Sequence, residues 1–540
     1  MKNIILLIVA FFFVSCGGGG GGGDSTVTIE EKTYDASVLS SDEYSSLQWI
    51  YTILGLENVY YYNTAGSSST SSISPKTVST ANGYIGYNNG NPIIVQVVDD
   101  GIEIAHEDLD SNISLVSSYN ANNESTDPTP SNLYENQHGT AVAGVIGAIG
   151  YNNIGLKGVA PSSNLAGFAL EVVNGYFIID LDTLEKAWVT GSNANNIAIS
   201  NNSWGSCISN DTDAEDLLKQ GTELLRDGKG RVYLFAGGNG REGDSDCPNG
   251  INMATSNTSY LNNSQYSIAV AAVGSDNKVT NYSSPGANIL VSGYSGDDDS
   301  NSGISTTVPE GTGNSNYTFS DDTDLNYTTE FSGTSASTPI VAGSLALVLE
   351  ACPSLSYRDI KYLIAKNSTR VDTQNSSWVQ NAASLWHSND YGFGVINPKS
   401  MIDECKSTYT LLGSKQSIIT ADSTTSAITT STLTKNLTIS QDIIVEWVGL
   451  TITSNFNSPE SLQVNLISPN GTKSELIHFN NQTGSSVSSY LTSGFRLSSQ
   501  AFIGESSMNG ANGVWQVEIT SNKSSASGDV TALSLEIVGH

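Results

Sequence analysis

Three side chains that lie far apart in the sequence have the chemistry of a carboxylate, a base and a hydroxyl nucleophile. Asp99 ends an apolar β-branched run, His138 precedes a segment of small residues, and Ser335 stands at the amino end of a long apolar segment. A serine hydroxyl is a weak nucleophile until a base removes its proton, and a carboxylate can orient that base. Singly, the three residues are equally well explained as a turn residue, a structural histidine and a helix N-cap. Together they indicate a hydroxyl-nucleophile site.

The elements around these residues predict an α/β layer fold. Ile93 to Val98 is almost continuously apolar and β-branched, as is typical of a parallel strand covered on both faces. Strands of this kind alternate with helical spacing, which favours a mostly parallel sheet with its sites at the carboxyl edge. The further predicted strands are 197–199, 232–236 and 267–273, and the predicted helices are 139–149, 181–188, 217–225 and 338–351.

After Cys405 the hydrophobic pattern changes to strict alternation. Leu462, Val464 and Leu466 alternate with polar residues, and a Pro-Asn-Gly turn follows. This pattern predicts a small antiparallel sandwich. We therefore predict one large α/β domain over residues 42–405 and an all-β domain over residues 406–540.

The composition excludes some classes of partner. Lys and Arg number 22 against 53 Asp and Glu, which gives a formal net charge of −31. Such a charge repels nucleic acid and anionic lipid surfaces. Apolar residues make up 38% of the chain, too many for a disordered acidic protein. The sequence predicts a folded, acidic body with no nucleic-acid partner.

The first 41 residues have the pattern of an export and tether segment. A short charged start and the apolar run from Ile4 to Val14 have signal-peptide length, and seven glycines follow Cys16. Phe-Val-Ser-Cys resembles a bacterial lipoprotein cleavage site, with an ordinary signal peptide as the alternative. We expect residues 1–16 to be a lipoprotein-type signal peptide and residues 17–41 a tether. The chain would then be exported to the cell envelope or surface, and would meet a membrane only through a lipid on Cys16.

Four cysteines remain in the body of the chain, and none forms a close Cys-x-x-Cys pair. An even number in an exported protein allows two disulfides in any of three pairings. Their order along the chain favours Cys207 with Cys247 and Cys352 with Cys405.

Several motifs resemble those of the subtilisin-like serine proteases, and their form is closest to the kexin and furin branch. These are Val-Val-Asp-Asp-Gly-Ile-Glu at 97–103, His-Gly-Thr at 138–140, Asn-Ser-Trp-Gly at 202–205 and Gly-Thr-Ser-Ala at 333–336. Segments 462–472 and 513–519 resemble strands of the P domain that follows the catalytic domain in that branch. The resemblance covers roughly residues 42–540 and implies a subtilisin-like domain followed by a jelly-roll-like P domain.

The resemblance assigns roles to the reactive residues. Ser335 would be the nucleophile, His138 the general base and acid, and Asp99 the group that orients the imidazole. Asn239 follows the strand Val232–Ala236 and would donate one hydrogen bond to the oxyanion, with the Ser335 backbone N–H as the second donor. The alternative for Asn239 is a turn residue in the left-handed conformation.

Substrate-binding residues are also implied. Ser203, Trp204 and Gly205 would pair with the substrate backbone and form a wall of the first pocket, although Trp204 is equally well explained as a core residue. Asp100 matches the carboxylate that meets a basic second residue of the substrate. Ile208 and Asn249 stand where furin-like enzymes have acidic residues, so a preference for basic residues would depend on carboxylates nearby in sequence, which are Asp211, Asp213, Glu215 and Asp216.

Calcium is the implied cofactor. Its ligands would be the side chains of Asp42, Asp108 and Asn152 and the carbonyls of Ile149, Ile154 and Leu156, a set of hard oxygen donors. The alternative is that Asp42 and Asp108 are ordinary surface carboxylates. Asp244 matches a ligand of a second calcium site, but Ser284 stands where that site has a Glu.

Two functions of different classes follow. The first is a calcium-dependent serine endopeptidase acting on proteins or peptides, and the second is a catalytically inactive binding or adhesion lipoprotein on the same scaffold. Only residues 24–41 are left for a propeptide. That is too short for a folding domain, so we expect folding to depend on a separate chaperone or on the P domain.

Overall fold

The computed structural model describes residues 42, 48–54, 56, 92–150, 152–205, 212–241, 255–297, 303–312, 325–477 and 491–540. The predictions for the signal peptide, the tether, the Cys207–Cys247 pair, Ile208, Asp211, Asn249 and Asp244 fall outside these residues.

A seven-stranded parallel sheet forms the centre of the first domain, in the order β2-β3-β1-β6-β7-β8-β9. Every residue of the two strands in the middle of the sheet, β1 and β6, is buried, as is typical of parallel strands covered on both faces. The predicted bounds of β7 and β8 are confirmed. The strands are β1 (Ile94–Asp99), β2 (Tyr119–Asn120), β3 (Asn164–Ala169), β6 (Ile197–Asn202), β7 (Val232–Ala236), β8 (Ser267–Val273) and β9 (Ile289–Tyr294). Three short antiparallel strand pairs are separate from this sheet. They are β4 (Glu171–Val173) with β5 (Tyr176–Ile178), β10 (Ile304–Thr307) with β11 (Tyr327–Phe331), and β12 (Val379–Gln380) with β13 (Trp386–His387).

Seven α-helices occur among the described residues, and one of them passes through the core. They are α1 (Trp49–Leu54), α2 (His138–Gly147), α3 (Leu181–Glu185), α4 (Thr212–Leu224), α5 (Thr334–Ala351), α6 (Tyr357–Asn367) and α7 (Pro398–Ser407). Helix α5 begins four residues before the predicted start, so Ser335 is its second residue. This helix is long and apolar enough to cross a membrane, but 89% of it is buried inside the protein, where it packs on α2 and the sheet.

The second domain is a sandwich of two antiparallel sheets, as the alternating pattern predicts. One sheet has the order β14-β22-β17-β20 with β15 paired to β22, and the other has the order β16-β21-β18-β19. Their inward side chains form a separate apolar core. The strands are β14 (Gln416–Asp422), β15 (Ser426–Ala427), β16 (Leu433–Thr438), β17 (Val445–Ser454), β18 (Leu462–Ile467), β19 (Lys473–Ile477), β20 (Phe495–Ser499), β21 (Val514–Ser521) and β22 (Asp529–Gly539).

Buried polar contacts join the two domains. Arg496 of β20 donates to Glu215 of α4 at 2.7 Å and to Asn263 at 2.9 Å. The fully buried Asn257 donates to the Leu476 and Ser498 carbonyls and accepts from the Ser498 N–H. These buried hydrogen bonds are satisfied only while the two domains are in contact, and they therefore stabilise the interface.

A disulfide joins Cys352 to Cys405, as the order of the cysteines favours. Cys352 directly follows α5 and Cys405 lies in α7. The bond therefore fixes the carboxyl end of the helix that carries Ser335.

Candidate active site

The carboxyl end of β1 and the start of α2 bring Asp99 and His138 into contact. The Asp99 Oδ1 atom lies 2.9 Å from His138 Nδ1, and the side chains are 0% and 10% exposed. Burial by itself lowers the pKa of the imidazole, but the charge and hydrogen bond of Asp99, with the charge of Asp100, outweigh it and raise the pKa above its ordinary value. The contact places the ring proton on Nδ1 and leaves Nε2 as the basic nitrogen.

Asp100 stabilises the same helix start. Its two carboxylate oxygens accept from the backbone N–H groups of His138 at 3.1 Å and Gly139 at 2.6 Å, and the side chain is buried. A Cβ on Gly139 would lie 2.1 Å from the Gly101 carbonyl oxygen, so only glycine fits at that position. Burial, and then the charge of Asp99, raise the pKa of the Asp100 carboxyl. Asp100 thus has a structural role in positioning His138, and contact with substrate stays a prediction.

Ser335 is half-buried, whereas its neighbours Thr334 and Ala336 are buried. Its hydroxyl donates to the Ser203 carbonyl at 2.9 Å, and the Ser203 hydroxyl donates to the Ser335 carbonyl at 2.9 Å. The single Ser335 hydroxyl proton is therefore directed to Ser203 in this structure. Transfer to His138 requires this proton to leave the Ser203 carbonyl.

A proline inside α5 makes the Ser203 contact possible. In a regular helix the N–H of residue 339 would bond to the Ser335 carbonyl, but Pro339 has no N–H. The Ser203 hydroxyl takes that place, and the Asn201 side chain donates to Ser203 Oγ at 2.9 Å. The site segment after β6 is thereby connected to the start of the helix.

Asn239 is held by the residue before the serine. Its Oδ1 atom accepts from the Thr334 N–H at 2.9 Å and from the Thr334 hydroxyl at 2.8 Å. Thr334 Oγ1 in turn accepts from the Gly238 N–H at 3.2 Å. With its oxygen engaged, the Asn239 side chain has its NH₂ group left to donate. Its φ angle is not positive, so the turn-residue alternative is wrong.

Trp204 lies in the core of the first domain. It is 3% exposed, packs against Trp188 and Phe235, and donates from its indole N–H to the Val98 carbonyl at 2.7 Å. The structure thus favours the core alternative for this side chain. Substrate contact by the backbone of residues 203–205 stays a prediction.

Contacts between the segments bring the reactive groups to one edge of the sheet. Trp204 connects the end of β6 to β1, Thr334 connects α5 to the end of β7, and the His138 ring packs edge-on against Phe331 at 5.5 Å. Phe331 ends the strand that leads into the Ser335 helix. Asp99, His138, Asn239 and Ser335 therefore belong to one site.

Three of the predicted calcium ligands, Asp42, Asp108 and Asn152, lie together. Asp42 and Asp108 are 1% and 0% exposed, so the surface-carboxylate alternative is wrong. Asn152 bridges them, because its N–H donates to Asp42 at 3.0 Å and its side chain to Asp108 at 2.8 Å. Burial, together with the Asp42 charge, raises the pKa of Asp108 well above its ordinary value. A cation between these two carboxylates would offset the cost of burying their charges.

The loop that follows α2 contacts Asp108 and Asn152 through its N–H groups, and ligation by the carbonyls of Ile149, Ile154 and Leu156 stays a prediction. The Ile149 N–H donates to the Asp108 carbonyl at 2.8 Å, the Leu156 N–H to Asp108 Oδ2 at 2.9 Å and the Ile154 N–H to Asn152 Oδ1 at 3.0 Å. No group of three or more His, Cys, Asp or Glu side chains in the described part of the chain could hold a metal. The site would consist of two carboxylates with amide and backbone oxygens, a donor set that suits calcium.

Of the carboxylates considered for substrate specificity, Glu215 is used elsewhere. It accepts from Ser264 and from Arg496 of the second domain and is 8% exposed. Asp213 and Asp216 are exposed on α4. Glu215 is therefore a domain contact.

Comparison with known proteins decides the family. The subtilase family model matches residues 90–394, more than half of the chain. The chain is a subtilase. It is a serine protease by family, and a model of the proprotein convertase P-domain matches residues 445–537.

Relatives include both bacterial and vertebrate proteases. An Aeromonas extracellular serine protease from Aeromonas sobria is 29% identical over 502 residues, covering 80% of this chain and 78% of the relative. Proprotein convertase subtilisin/kexin type 6 of Rattus norvegicus is 30% identical over 73% of this chain, and Furin-1 of Xenopus laevis 29% over 60%. The chain spans 40% and 38% of those two relatives.

Solved structures agree with the fold. The serine protease of Aeromonas sobria has a TM-score of 0.74 at 25% identity, covering 96% of this chain and 99% of that one. The same protease solved with its chaperone also gives a TM-score of 0.74, covering 89% and 94%. The predicted α/β domain with a β-sheet P domain is confirmed.

Sequence reasoning missed the residues that hold the reactive groups, namely Thr334, Pro339 and Ser203 Oγ. Pro339 gave a usable signal, because a proline inside a helix leaves the carbonyl four residues earlier without its helical donor. That carbonyl belongs to Ser335. The donor that replaces the missing N–H lies 132 residues away and has no local signature.

Proposed function

We propose that this subtilase is a calcium-dependent endopeptidase that hydrolyses peptide bonds through Asp99, His138 and Ser335. The observation that carries the proposal is the buried 2.9 Å contact between Asp99 and His138, whose ring packs on Phe331 four residues before the half-buried Ser335. Asn239 and the Ser335 backbone N–H supply the oxyanion donors.

The reaction begins at the substrate carbonyl. Ser335 Oγ attacks the carbonyl carbon while His138 Nε2 takes the hydroxyl proton, and Asp99 stabilises the imidazolium cation. The C=O double bond becomes a single bond to an oxyanion. The Asn239 NH₂ group can donate a hydrogen bond to this oxyanion, because the Oδ1 atom of the same side chain is already bound to Thr334.

Breakdown of the intermediate completes acyl transfer. His138 gives its proton to the leaving amine, the C–N bond breaks, and an ester to Ser335 remains. Water, deprotonated by His138, then attacks the ester, and the acid product leaves as Ser335 recovers its proton. The Asp99 contact keeps the same imidazole tautomer in both halves.

A fluorophosphonate probe tests this proposal. We expect the full chain to be labelled on Ser335, with labelling slowed by a peptide substrate. A folded sample that does not label at Ser335 would contradict the proposal and support the inactive binding protein. A peptide library then tests the preference for basic residues, which is rejected if apolar residues dominate the first position.

We propose further that calcium binds between Asp42, Asp108 and Asn152, with carbonyls from the loop 149–156. Bound calcium would neutralise the two buried carboxylates and connect the segment around residue 42 to the loop that follows α2. The ion has no step in the reaction. Its contribution is to the stability of the catalytic domain.

Calcium is therefore expected to raise the melting temperature. At free calcium 100-fold above its dissociation constant, the gain in free energy of unfolding is about 2.7 kcal/mol. Asp108→Asn should abolish most of this response in differential scanning calorimetry with calcium or chelator. Asp110→Asn, a half-buried carboxylate two residues away, is the matched control. Equal melting temperatures of the unaltered protein in calcium and in chelator would refute the site.

We propose that folding depends on a separate chaperone or on the P domain. The Aeromonas sobria relative was solved in complex with a chaperone. In this chain, removal of the P domain would take away three hydrogen bonds of Asn257 and expose to water the surface of the first domain around it. We expect residues 42–405 alone to recover little activity after denaturation, measured by peptide hydrolysis. Full unaided recovery would contradict this dependence.

A further inference from the structure

The two oxyanion donors belong to different segments. Asn239 follows β7, and the Ser335 N–H lies at the start of α5. The oxyanion is stabilised only if both donors converge on one point, so the separation of these segments matters. A third segment, residues 282–284, contacts both.

The first set of contacts is to the loop that carries Asn239. The Ser284 N–H donates to the Gly238 carbonyl at 2.8 Å, and the Gly240 N–H donates to Ser284 Oγ at 2.9 Å. The Arg241 N–H donates to the Tyr282 carbonyl at 3.1 Å. Backbone groups on both sides of Asn239 are thus held by the 282–284 segment. Ser284, where furin-like enzymes were expected to have a metal-ligating Glu, here is 1% exposed and holds this loop directly.

The second set of contacts is to the start of α5. The Gly333 N–H donates to the Tyr282 hydroxyl at 3.0 Å, and Ser295 Oγ donates to the Gly333 carbonyl at 2.9 Å. The Tyr282 hydroxyl lies 2.8 Å from Ser295 Oγ. Gly333 has φ +84°, a conformation that side-chain-bearing residues rarely adopt. Its carbonyl also accepts from the Ala336 N–H of the helix at 3.0 Å, whereas its own N–H is oriented by the Tyr282 hydroxyl.

We propose that Tyr282 is a positioning residue that fixes the distance between the Ser335 N–H and the Asn239 NH₂ group. Its backbone holds the Asn239 loop and its hydroxyl holds Gly333, two residues before Ser335. The proposal rests on the proposed oxyanion role of these two donors. Tyr282 itself acts through Gly333 and does not touch the reacting atoms.

The chemistry of the hydroxyl suits this role. Burial raises the pKa of the Tyr282 phenol to about 12, so the group stays protonated at neutral pH. It can then accept from Gly333 and donate to Ser295 or to the Gly296 carbonyl at the same time. A phenylalanine keeps the ring and removes only these bonds.

Tyr282→Phe in the full chain tests the proposal. We expect kcat to fall about 10-fold with KM within about twofold, since misplaced donors weaken only the transition state. A peptide aldehyde forms a tetrahedral adduct with the serine, and its inhibition constant should rise by about the same factor because binding is weaker. Tyr294→Phe is the control. It removes a buried hydroxyl that donates to Asn277 at 2.6 Å and is not bonded to Gly333.

The outcomes separate this proposal from the proposed function. Wild-type kcat in Tyr282→Phe, or an equal loss in Tyr294→Phe, overturns the positioning role while Ser335 labelling stands. A fully active Ser335→Ala would instead overturn the proposed function. In the Asn239→Ala variant, Tyr282→Phe should lower kcat by a smaller factor than it does in the unaltered protein. If it lowers kcat by the same factor in both, the positioning role is contradicted. If Tyr282→Phe does not fold, Ser295→Ala removes the Ser295 hydrogen bonds to the Gly333 carbonyl and to the Tyr282 hydroxyl, and should also lower kcat selectively.

Discussion

Replacing Ser335 by alanine is expected to lower kcat for a peptide substrate on the order of 10⁶-fold, because no attacking oxygen is left at the start of α5. KM should change little, since one oxygen atom is removed from a surface that binds the substrate over several residues. The residual rate should still exceed that of the uncatalysed reaction, as Asn239 and the Ser335 N–H would still polarise the carbonyl. Peptide hydrolysis under single-turnover conditions measures the loss.

Ser337→Ala is the matched control for this experiment. Ser337 is a buried serine in the same helix whose hydroxyl donates to the Thr334 carbonyl at 3.0 Å. Its replacement should cost some stability and leave kcat within a few-fold. The expected kcat of Ser335→Ala is about 10⁻⁶ of the wild-type value. A kcat above about 10⁻² of the wild-type value would show that the nucleophile is another residue.

Asp99→Asn is expected to lower kcat by about 10⁴-fold, the second largest effect. Asp99 accepts the Nδ1 proton of His138 at 2.9 Å, whereas an asparagine can turn its NH₂ group to that nitrogen. The imidazole would then carry its proton on Nε2, the atom that must accept the serine proton. Thermal melting of the variant should show a folded protein.

The pH profile of the same variant gives an independent test. The pKa of His138 is raised by Asp99 and Asp100 against the effect of burial, so wild-type kcat/KM should rise with pH as this imidazole loses its proton. Without the Asp99 charge the pKa falls, and the acidic limb should move to lower pH. Asp276→Asn, an exposed carboxylate paired with Lys278, should leave the limb in place. A limb that moves to higher pH would contradict the assignment.

Local patterns were sufficient to predict the elements that carry the site. The bounds of β7 and β8 match because each is a continuous apolar run, which only a strand covered on both faces buries completely. Helix α4 begins five residues before its predicted start at Leu217, since its first turn is acidic and polar and carries no apolar period. Glu215 lies in that turn, and its contact with Arg496 joins residues 281 positions apart.

Tertiary structure was needed wherever a polar side chain has a distant partner. Asp42 and Asp108 look like surface carboxylates in an acidic chain, yet both are buried against Asn152. Trp204 was equally consistent with a pocket wall and with the core, and its contacts with Trp188 and Val98 favour the core. In each case burial depends on which remote segments pack nearby.

The sequence by itself determined which reactive groups exist, in what order they occur and on which local elements they stand. It did so because strand and helix periodicity is a short-range property that neighbouring residues impose. The tertiary structure alone decided that Asp100 holds a helix end, that Ser203 replaces the N–H missing from Pro339, and that Tyr282 connects two loops. These hydrogen bonds join residues 38 to 132 positions apart and depend on packing geometry in three dimensions, which no single stretch of the chain encodes.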